Sequence, residues 1–341
     1  MFPDDMLPGE AVRQLMYAYR FSHAIHAAAA LGIADLLADG PKRVAELAQA
    51  TSTHAPSLYR LLRALASVGV FVETEPENFA LTPRAEILRS DRNGSLRDLV
   101  LVMAGGSEIE RASAALLHTV RTGEPAFDHV FRLPFFDYLA QNPEAGERFN
   151  AGEGSASRAA ADAILSAYDF SGVAHLVDVG GGRGGLLVAI LTAYPQMRGT
   201  LFDQPHVVVE ALPHLHTGGV TERCEVVGGD FFAAVPDGAD AYLLRYIVHD
   251  WDDARAAEIL RNCRRAMPPH GRLLLVDFVI PPGNGLDWGK WLDLTILTLL
   301  SGRERTAAEF AALCRAAGLE LTRIIPTAAQ LSIIEARPSG S

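Results

Sequence analysis

Along the first part of the chain, apolar residues recur at three- and four-residue steps. From residue 172 onward, short continuous apolar runs alternate with amphipathic stretches. In the first regime Val12, Leu15, Met16 and Tyr19 share a helical face, and the alanines at 27–30 extend that helix, within 11–38, to a break at Gly32. A short helix over 33–37 and two more over 42–50 and 56–68 follow; Thr51-Ser52-Thr53-His54 between the last two carries good N-cap residues. Strand-like pieces at 70–72 and 79–81 come next, joined by Glu73-Thr74-Glu75-Pro76-Glu77-Asn78. Helix, helix, hairpin is the pattern of a winged helix-turn-helix. Residues 96–170 read as helices broken near Gly105-Gly106, Pro125 and Pro134, and they are expected to bridge the two regimes.

The second regime predicts an α/β domain. Strands are expected at 175–179, 199–203, 223–227, 241–244 and 272–278, with helices at 253–267, 288–300 and 307–317 between or after them. Strand and helix taking turns implies a parallel sheet covered on both faces. The chain closes with strands at 321–325 and 330–336, and the link Pro326-Thr327-Ala328-Ala329 is so short that only antiparallel pairing fits it. The result is a seven-stranded, Rossmann-like sheet with one strand reversed, preceded by an α-helical winged-helix part. The expected division is 1–95, 96–170 and 171–337.

The first strand of that sheet breaks into Gly180-Gly181-Gly182-Arg183-Gly184-Gly185 and re-emerges as a helix. Glycines let backbone approach a ligand closely, and the free N–H groups of the following helix favour an anion. Gly180, Gly182 and Gly185 satisfy the dinucleotide spacing, and Asp203 ends the next strand, where an acid hydrogen-bonds ribose hydroxyls. A nicotinamide or flavin nucleotide and S-adenosylmethionine both fit the loop. The reversed last strand is foreign to the six-stranded dinucleotide fold and favours S-adenosylmethionine.

Composition narrows the partners. The chain has 341 residues, is 49% hydrophobic and carries a formal net charge of −11. Residues 1–95 hold nine Lys and Arg against eleven Asp and Glu, and the would-be reading helix offers only Arg60 and Arg63. Phosphates demand a basic face, so a protein-protein module is expected rather than a nucleic-acid surface. Cys224, Cys263 and Cys314 are widely separated, which suggests neither a disulfide framework nor a metal site. The acidic start Met1-Phe2-Pro3-Asp4-Asp5 is unlike a basic leader, and no apolar run reaches the ~18 residues of a membrane span. A cytoplasmic protein is expected.

In doubly wound sheets ligands bind beyond the carboxyl ends of the strands. Those ends carry the glycine loop, Asp203, Asp230-Phe231, Arg245 with His249-Asp250, and Asp277. Asp252 and Asp253 precede or open a helix and are assigned to capping and to its dipole. Trp251 is read as a packing anchor. His249, on the rim beside the cofactor loop, has an ordinary pKa of ~6.5 that suits proton abstraction, and it is the candidate general base.

Five segments in order resemble the motifs of the S-adenosylmethionine-dependent small-molecule O-methyltransferases: Asp178-Val179-Gly180-Gly181-Gly182-Arg183-Gly184, Phe202-Asp203-Gln204-Pro205-His206-Val207, Gly229-Asp230-Phe231-Phe232, His249-Asp250-Trp251-Asp252-Asp253 and Gly302-Arg303-Glu304-Arg305-Thr306. The resemblance spans nearly the whole chain. It implies that Gly180, Gly182, Asp203, Asp230, Phe231 and Arg245 bind S-adenosylmethionine, with Arg245 where many relatives have lysine. It implies that His249 is the base, flanked by Asp277 and Glu304, where Asp277 is shorter than the glutamate common there. It also implies a metal-independent homodimer whose N-terminal part closes over the partner's substrate site. Glu153 stands where a methionine often packs on the acceptor ring. Glu153, Asp250, Trp291 and Thr295 are the expected acceptor contacts. Trp288 and Trp291, at helical spacing with Thr295 and Thr298, fit a pocket wall or an ordinary core stripe equally well. An aromatic, phenolic acceptor is the resulting expectation. A relative with altered chemistry, a dinucleotide oxidoreductase and a ligand-sensing regulator are the alternatives.

Overall fold

A computed structural model describes residues 6–92 and 94–340, so the acidic start at 1–5 lies outside the described residues. The chain forms two compact units, Met1–Glu110 and Arg111–Ser341.

In the first unit the helices Val44–Thr51 and Ala55–Ser67 precede the hairpin Phe71–Glu75 and Asn78–Leu81. Leu58, Leu62 and Leu65, spaced four and three apart, bury one face of the second helix against Ile33, Leu37, Leu47, Phe71 and Phe79. Residues 42–43, expected to open a helix, pair instead with Asn78 and Phe79 as a third strand. The helix starts only at Val44, because Arg43 is extended and its N–H donates to Glu46 at 2.8 Å. Pro8–Tyr17 forms a helix with no buried residue, and Val12, Leu15, Met16, Tyr19 and Phe21 stay exposed within the chain.

The second unit is built on a seven-stranded sheet. Its strands are β1 (His175–Val179), β2 (Arg198–Asp203), β3 (Cys224–Gly228), β4 (Ala241–Arg245), β5 (Arg272–Asp277), β6 (Leu319–Pro326) and β7 (Ser332–Pro338). They lie in the order β6-β7-β5-β4-β1-β2-β3. β7 runs antiparallel to both neighbours and the rest are parallel, as the short 327–331 link demands. The important helices are α1 (Pro143–Ala167), α2 (Gly185–Ala193), α3 (Asp253–Ala266), α4 (Trp288–Leu299) and α5 (Ala307–Ala316).

β1, β4 and β5 read as unbroken apolar runs because each face of the sheet carries its own core. Leu176, Leu243, Leu274 and Val276 face α1 and α2, while Val177, Val179, Leu244, Leu273 and Leu275 face α3 and α5. The chain winds outward from β1 through β3 and then crosses to β4 beside β1, which opens a crevice at the carboxyl ends of those two strands. Among the described residues no helix is long and apolar enough to cross a membrane.

Candidate active site

The floor of the crevice is the loop after β1. Gly180, Gly182 and Gly184 adopt φ of 72°, 56° and 76°, the left-handed region that side chains rarely enter. A Cβ on Gly180 would collide with Ile247 Cδ1, so the absence of a side chain there keeps the backbone bare beneath the crevice. The N–H of Gly182 donates to Asp203 Oδ2 at 2.8 Å and that of Gln204 to Oδ1 at 2.6 Å, which fixes the carboxylate at the end of β2. Burial pushes the pKa of Asp203 up, while these two N–H groups hold it down. After β3, Asp230 is exposed, with Oδ1 accepting the Phe232 N–H at 2.8 Å, and the half-buried Phe231 ring lies beside Gly180.

Arg245 ends β4 and is buried. Its Nη1 donates to Ser157 Oγ at 2.6 Å and lies 3.8 Å from Glu153 Oε2, and its Cζ sits 4.2 Å from the Tyr246 ring centroid. Its Nε has no partner among the described residues. Bare glycine backbone, a fixed ribose-type acceptor, an exposed carboxylate beside an aromatic ring and a cation with a spare donor together fit a nucleoside joined to an amino acid. Beneath the loop lies Asp178, 2% exposed and pushed up to about 7 by burial and by Asp203 nearby. An acid inside an apolar strand was the signal that could have singled it out.

His249 sits in a single 3-10 turn, Val248–Asp250, just beyond β4. Its Nδ1 and Glu304 Oε1 are 2.6 Å apart, its Nε2 lies 3.3 Å from Asp250 Oδ1, and its ring stacks on Tyr246 at 4.9 Å with planes 7° apart. Carboxylates flank both ring nitrogens, the closer on Nδ1, so the imidazole is held protonated; when one proton leaves, Glu304 keeps the other on Nδ1 and Nε2 becomes the acceptor. Burial alone would lower the imidazole's pKa, but Asp250, Glu304 and Asp277 outweigh it and push it up to about 10. Burial pushes Asp250 up to about 7. Gly302 carries no side chain because a Cβ there would strike the His249 carbonyl.

The two acids expected beside His249 behave differently. Glu304, 3% exposed, makes the bond, and its N–H is held by Asp293 Oδ1 at 2.8 Å. Asp277 makes none. It is fully buried, and both its oxygens lack a partner among the described residues. One methylene shorter than glutamate, it influences His249 through charge alone, while burial pushes its own pKa up to about 7.

On the acceptor side, α1 places Glu153 and Ser157 one turn apart against Arg245. The core-stripe alternative for the tryptophans does not hold: Trp288 and Trp291 are 50% and 52% exposed, because α4 buries Gly289, Ile296, Thr298 and Leu299 instead. Thr295 is half-buried, and no bond or ring contact among the described residues joins it or Trp291 to His249. Asp252 caps α3 by accepting the Arg255 N–H at 2.9 Å, and Trp251 packs on Phe136, Phe231 and Phe232, both as expected. Sequence reasoning gave no role to Tyr246, Ser157, Asp293 or Arg305, though three of the four fall inside or beside segments it had singled out.

Residues 114–320 match the family model of the O-methyltransferase domain, and residues 13–91 match that of the O-methyltransferase dimerisation domain. The chain is 50% identical over 325 residues to the phenazine O-methyltransferase PhzM of Lysobacter antibioticus, covering 95% of each chain. The crystal structure of CalO1, a methyltransferase of calicheamicin biosynthesis in its S-adenosylhomocysteine-bound form, is 37% identical. It superposes with a TM-score of 0.88 over 98% of this chain and 100% of that one. The aclacinomycin 10-hydroxylase RdmB of Streptomyces purpurascens is 37% identical over 302 residues, 87% of this chain and 81% of the hydroxylase. The shared fold, the cradle and these matches have one meaning: the chain belongs to the S-adenosylmethionine-dependent O-methyltransferase family.

Proposed function

We propose that this enzyme methylates a hydroxyl of an aromatic, phenolic small molecule, with His249 as general base. S-adenosylmethionine, when bound, supplies a methyl group on a positively charged sulphur that an oxygen nucleophile displaces in line. Gly180, Gly182, Asp203, Asp230, Phe231 and Arg245 would hold it, with bare backbone for close approach and Asp203 placed as an acceptor for ribose hydroxyls. A phenol with pKa ~10 keeps its proton at neutral pH, so a base must take it. Nε2 of His249 accepts that proton while Glu304 on Nδ1 fixes the tautomer and stabilises the imidazolium. Holding oxygen and methyl in near-attack geometry supplies ~7–11 kcal/mol, against about 3–5 kcal/mol from a base worth ~10²–10⁴-fold. Positioning dominates and the base completes it.

Asp250, Glu153, Trp291 and Thr295 complete the acceptor side in this reading. With the carboxylates of Glu153 near Arg245 and Asp250 near His249, a neutral or cationic ring is favoured over an anionic one. The residues over 1–95, with their exposed apolar helix face, make the homodimer; 96–170 bridge; 171–337 carry the transfer. The three buried free thiols accord with a reducing cytoplasm, and the acidic winged helix accords with a protein rather than a nucleic-acid partner.

The carrying observation is the 2.6 Å contact of His249 with Glu304 beside the glycine cradle. Mass spectrometry on a panel of phenols tests the transfer, and a gain of one methyl group is the expected product. His249→Ala should lower kcat ~10²–10⁴-fold and leave S-adenosylhomocysteine affinity within twofold; unchanged turnover refutes the base assignment. The hydroxylase relative supports a second reading, in which the cradle is kept and the chemistry has changed. A product that gains oxygen rather than a methyl group would favour it.

A further inference from the structure

Three separate pieces of chain must be brought into register around one imidazole: the turn that carries His249, the segment that carries Glu304, and the end of β5 that carries Asp277. Turns beyond strand ends are ordinarily the mobile part of a sheet protein. Here one residue joins all three, through its buried side chain to the first and to its own segment and through its backbone to the third. Arg305 is 0% exposed. Its Nη1 donates to the Val248 carbonyl at 2.7 Å and its Nη2 to the Trp251 carbonyl at 2.9 Å, so the residues on either side of His249 and Asp250 hang from one planar group. Nε and Nη2 both donate to Asp253 Oδ1, at 3.1 and 2.9 Å, which ties the same guanidinium to the first residue of α3. Nη1 also reaches the Arg303 carbonyl at 3.3 Å, closing the group onto its own segment. Through its backbone, Arg305 pairs in parallel with Val279, two residues past Asp277, and Glu304 is its immediate neighbour in sequence.

We propose that Arg305 is a positioning residue for methyl transfer: its guanidinium sets the distance and angle at which Glu304 meets Nδ1 of His249, and so where Nε2 points. This rests on the base assignment for His249. A guanidinium offers five donors in a rigid plane, whereas an ammonium offers three on a flexible stem, so lysine keeps the charge but cannot span the acceptors at Val248, Trp251 and Asp253. A side chain that merely filled space would be replaced by lysine or methionine at a cost in stability and none in kcat. A positioning side chain loses its effect on the imidazole even where the fold survives, since a displacement of about 1 Å at the reacting groups costs up to ~10²-fold in rate.

The test compares Arg305→Lys with the parent enzyme, using the methyl acceptor that gives turnover. Expected are a fall in kcat of about 10–100-fold, S-adenosylhomocysteine affinity within about twofold, and a displaced acidic limb of the kcat–pH profile as the Glu304 contact loosens. In a double-mutant cycle with Glu304→Gln the two losses should overlap rather than multiply, because both act through one imidazole. A folded Arg305→Lys with unchanged kcat and pH profile, or fully multiplicative losses in the cycle, overturns the proposal. Should Arg305→Lys fail to fold, Asp253→Asn weakens one arm of the clamp from the half-exposed side and carries the test. A smaller kcat loss with a displaced pH limb supports the clamp, and an unchanged profile rejects it. His249→Ala measured alongside separates the two ideas. If it keeps full turnover, the base assignment fails; if it loses turnover while Arg305→Lys does not, only the clamp fails.

Discussion

A base whose pKa stands at about 10 is nearly all imidazolium at the pH where it must accept a proton, so something has to release that proton first. At pH 8 only about 1% of such a group is neutral. The natural source of relief is the cosubstrate's own charge. If that charge were held on the order of 6 Å from the imidazole, about one hydrogen bond plus the length of a reacting oxygen–carbon–sulphur line, the two cations would repel. A unit charge at that distance, with an effective dielectric constant of about 20, repels an imidazolium by about 2.8 kcal/mol, or roughly two pKa units. His249 would then titrate near pH 8, and binding at pH 8 should release about half a proton. S-adenosylhomocysteine shares every other group but is neutral at sulphur, so it should release almost none. Isothermal calorimetry in buffers of different ionisation enthalpy reads the proton count directly. Equal proton release with both ligands, or release that persists in His249→Asn, refutes the coupling between cosubstrate charge and base.

Two further outcomes follow from the same cluster. Asp277 is raised to about 7, so between about pH 4 and 7 the folded state holds a proton that the unfolded state has given up, and stability falls as pH rises through that window. Asp277→Asn should flatten that decline in melting temperature and move the acidic limb of the kcat–pH profile down, since His249 loses a neighbouring negative charge; an unaltered slope and limb would show that Asp277 is electrostatically silent. If Glu153, whose Oε2 lies 3.8 Å from Arg245 Nη1, contacts the acceptor as proposed, it should bias the enzyme against acceptors that carry a carboxylate. Glu153→Gln should lower KM for a hydroxynaphthoate several-fold and leave KM for the corresponding naphthol unchanged, and parallel changes in both would reject a charge-selecting role.

How far the chain could be read without its structure depended on the range of the interactions involved. Seven strands, the reversed hairpin and the glycine loop were legible because each follows from neighbouring residues. Apolar runs mark buried strands, a four-residue link allows only antiparallel pairing, and bare backbone at left-handed φ needs glycine. Where local signals compete, the reading slipped by a residue or two. Lys42 and Arg43 looked like the start of a helix, but the edge of the hairpin offered a strand partner that periodicity cannot show. The exposure of Trp288 and Trp291 was equally hidden, because α4's register is set by where Ile296 and Leu299 pack.

The site divides in the same way. Spacing along the strands placed Gly180, Asp203, Asp230, Arg245 and His249 on one rim, since strand ends in a wound sheet share an edge. Sequence alone thus determined the fold and which residues stand at the strand ends around the glycine loop. It could not determine that Glu304 rather than Asp277 holds His249, or that Arg305 joins segments more than fifty residues apart. A difference of one methylene decides whether an acid reaches an imidazole, and a guanidinium bridges whatever carbonyls the folded chain brings to it. Such contacts depend on distances of a few tenths of an ångström between remote pieces of backbone, which only the assembled tertiary structure sets.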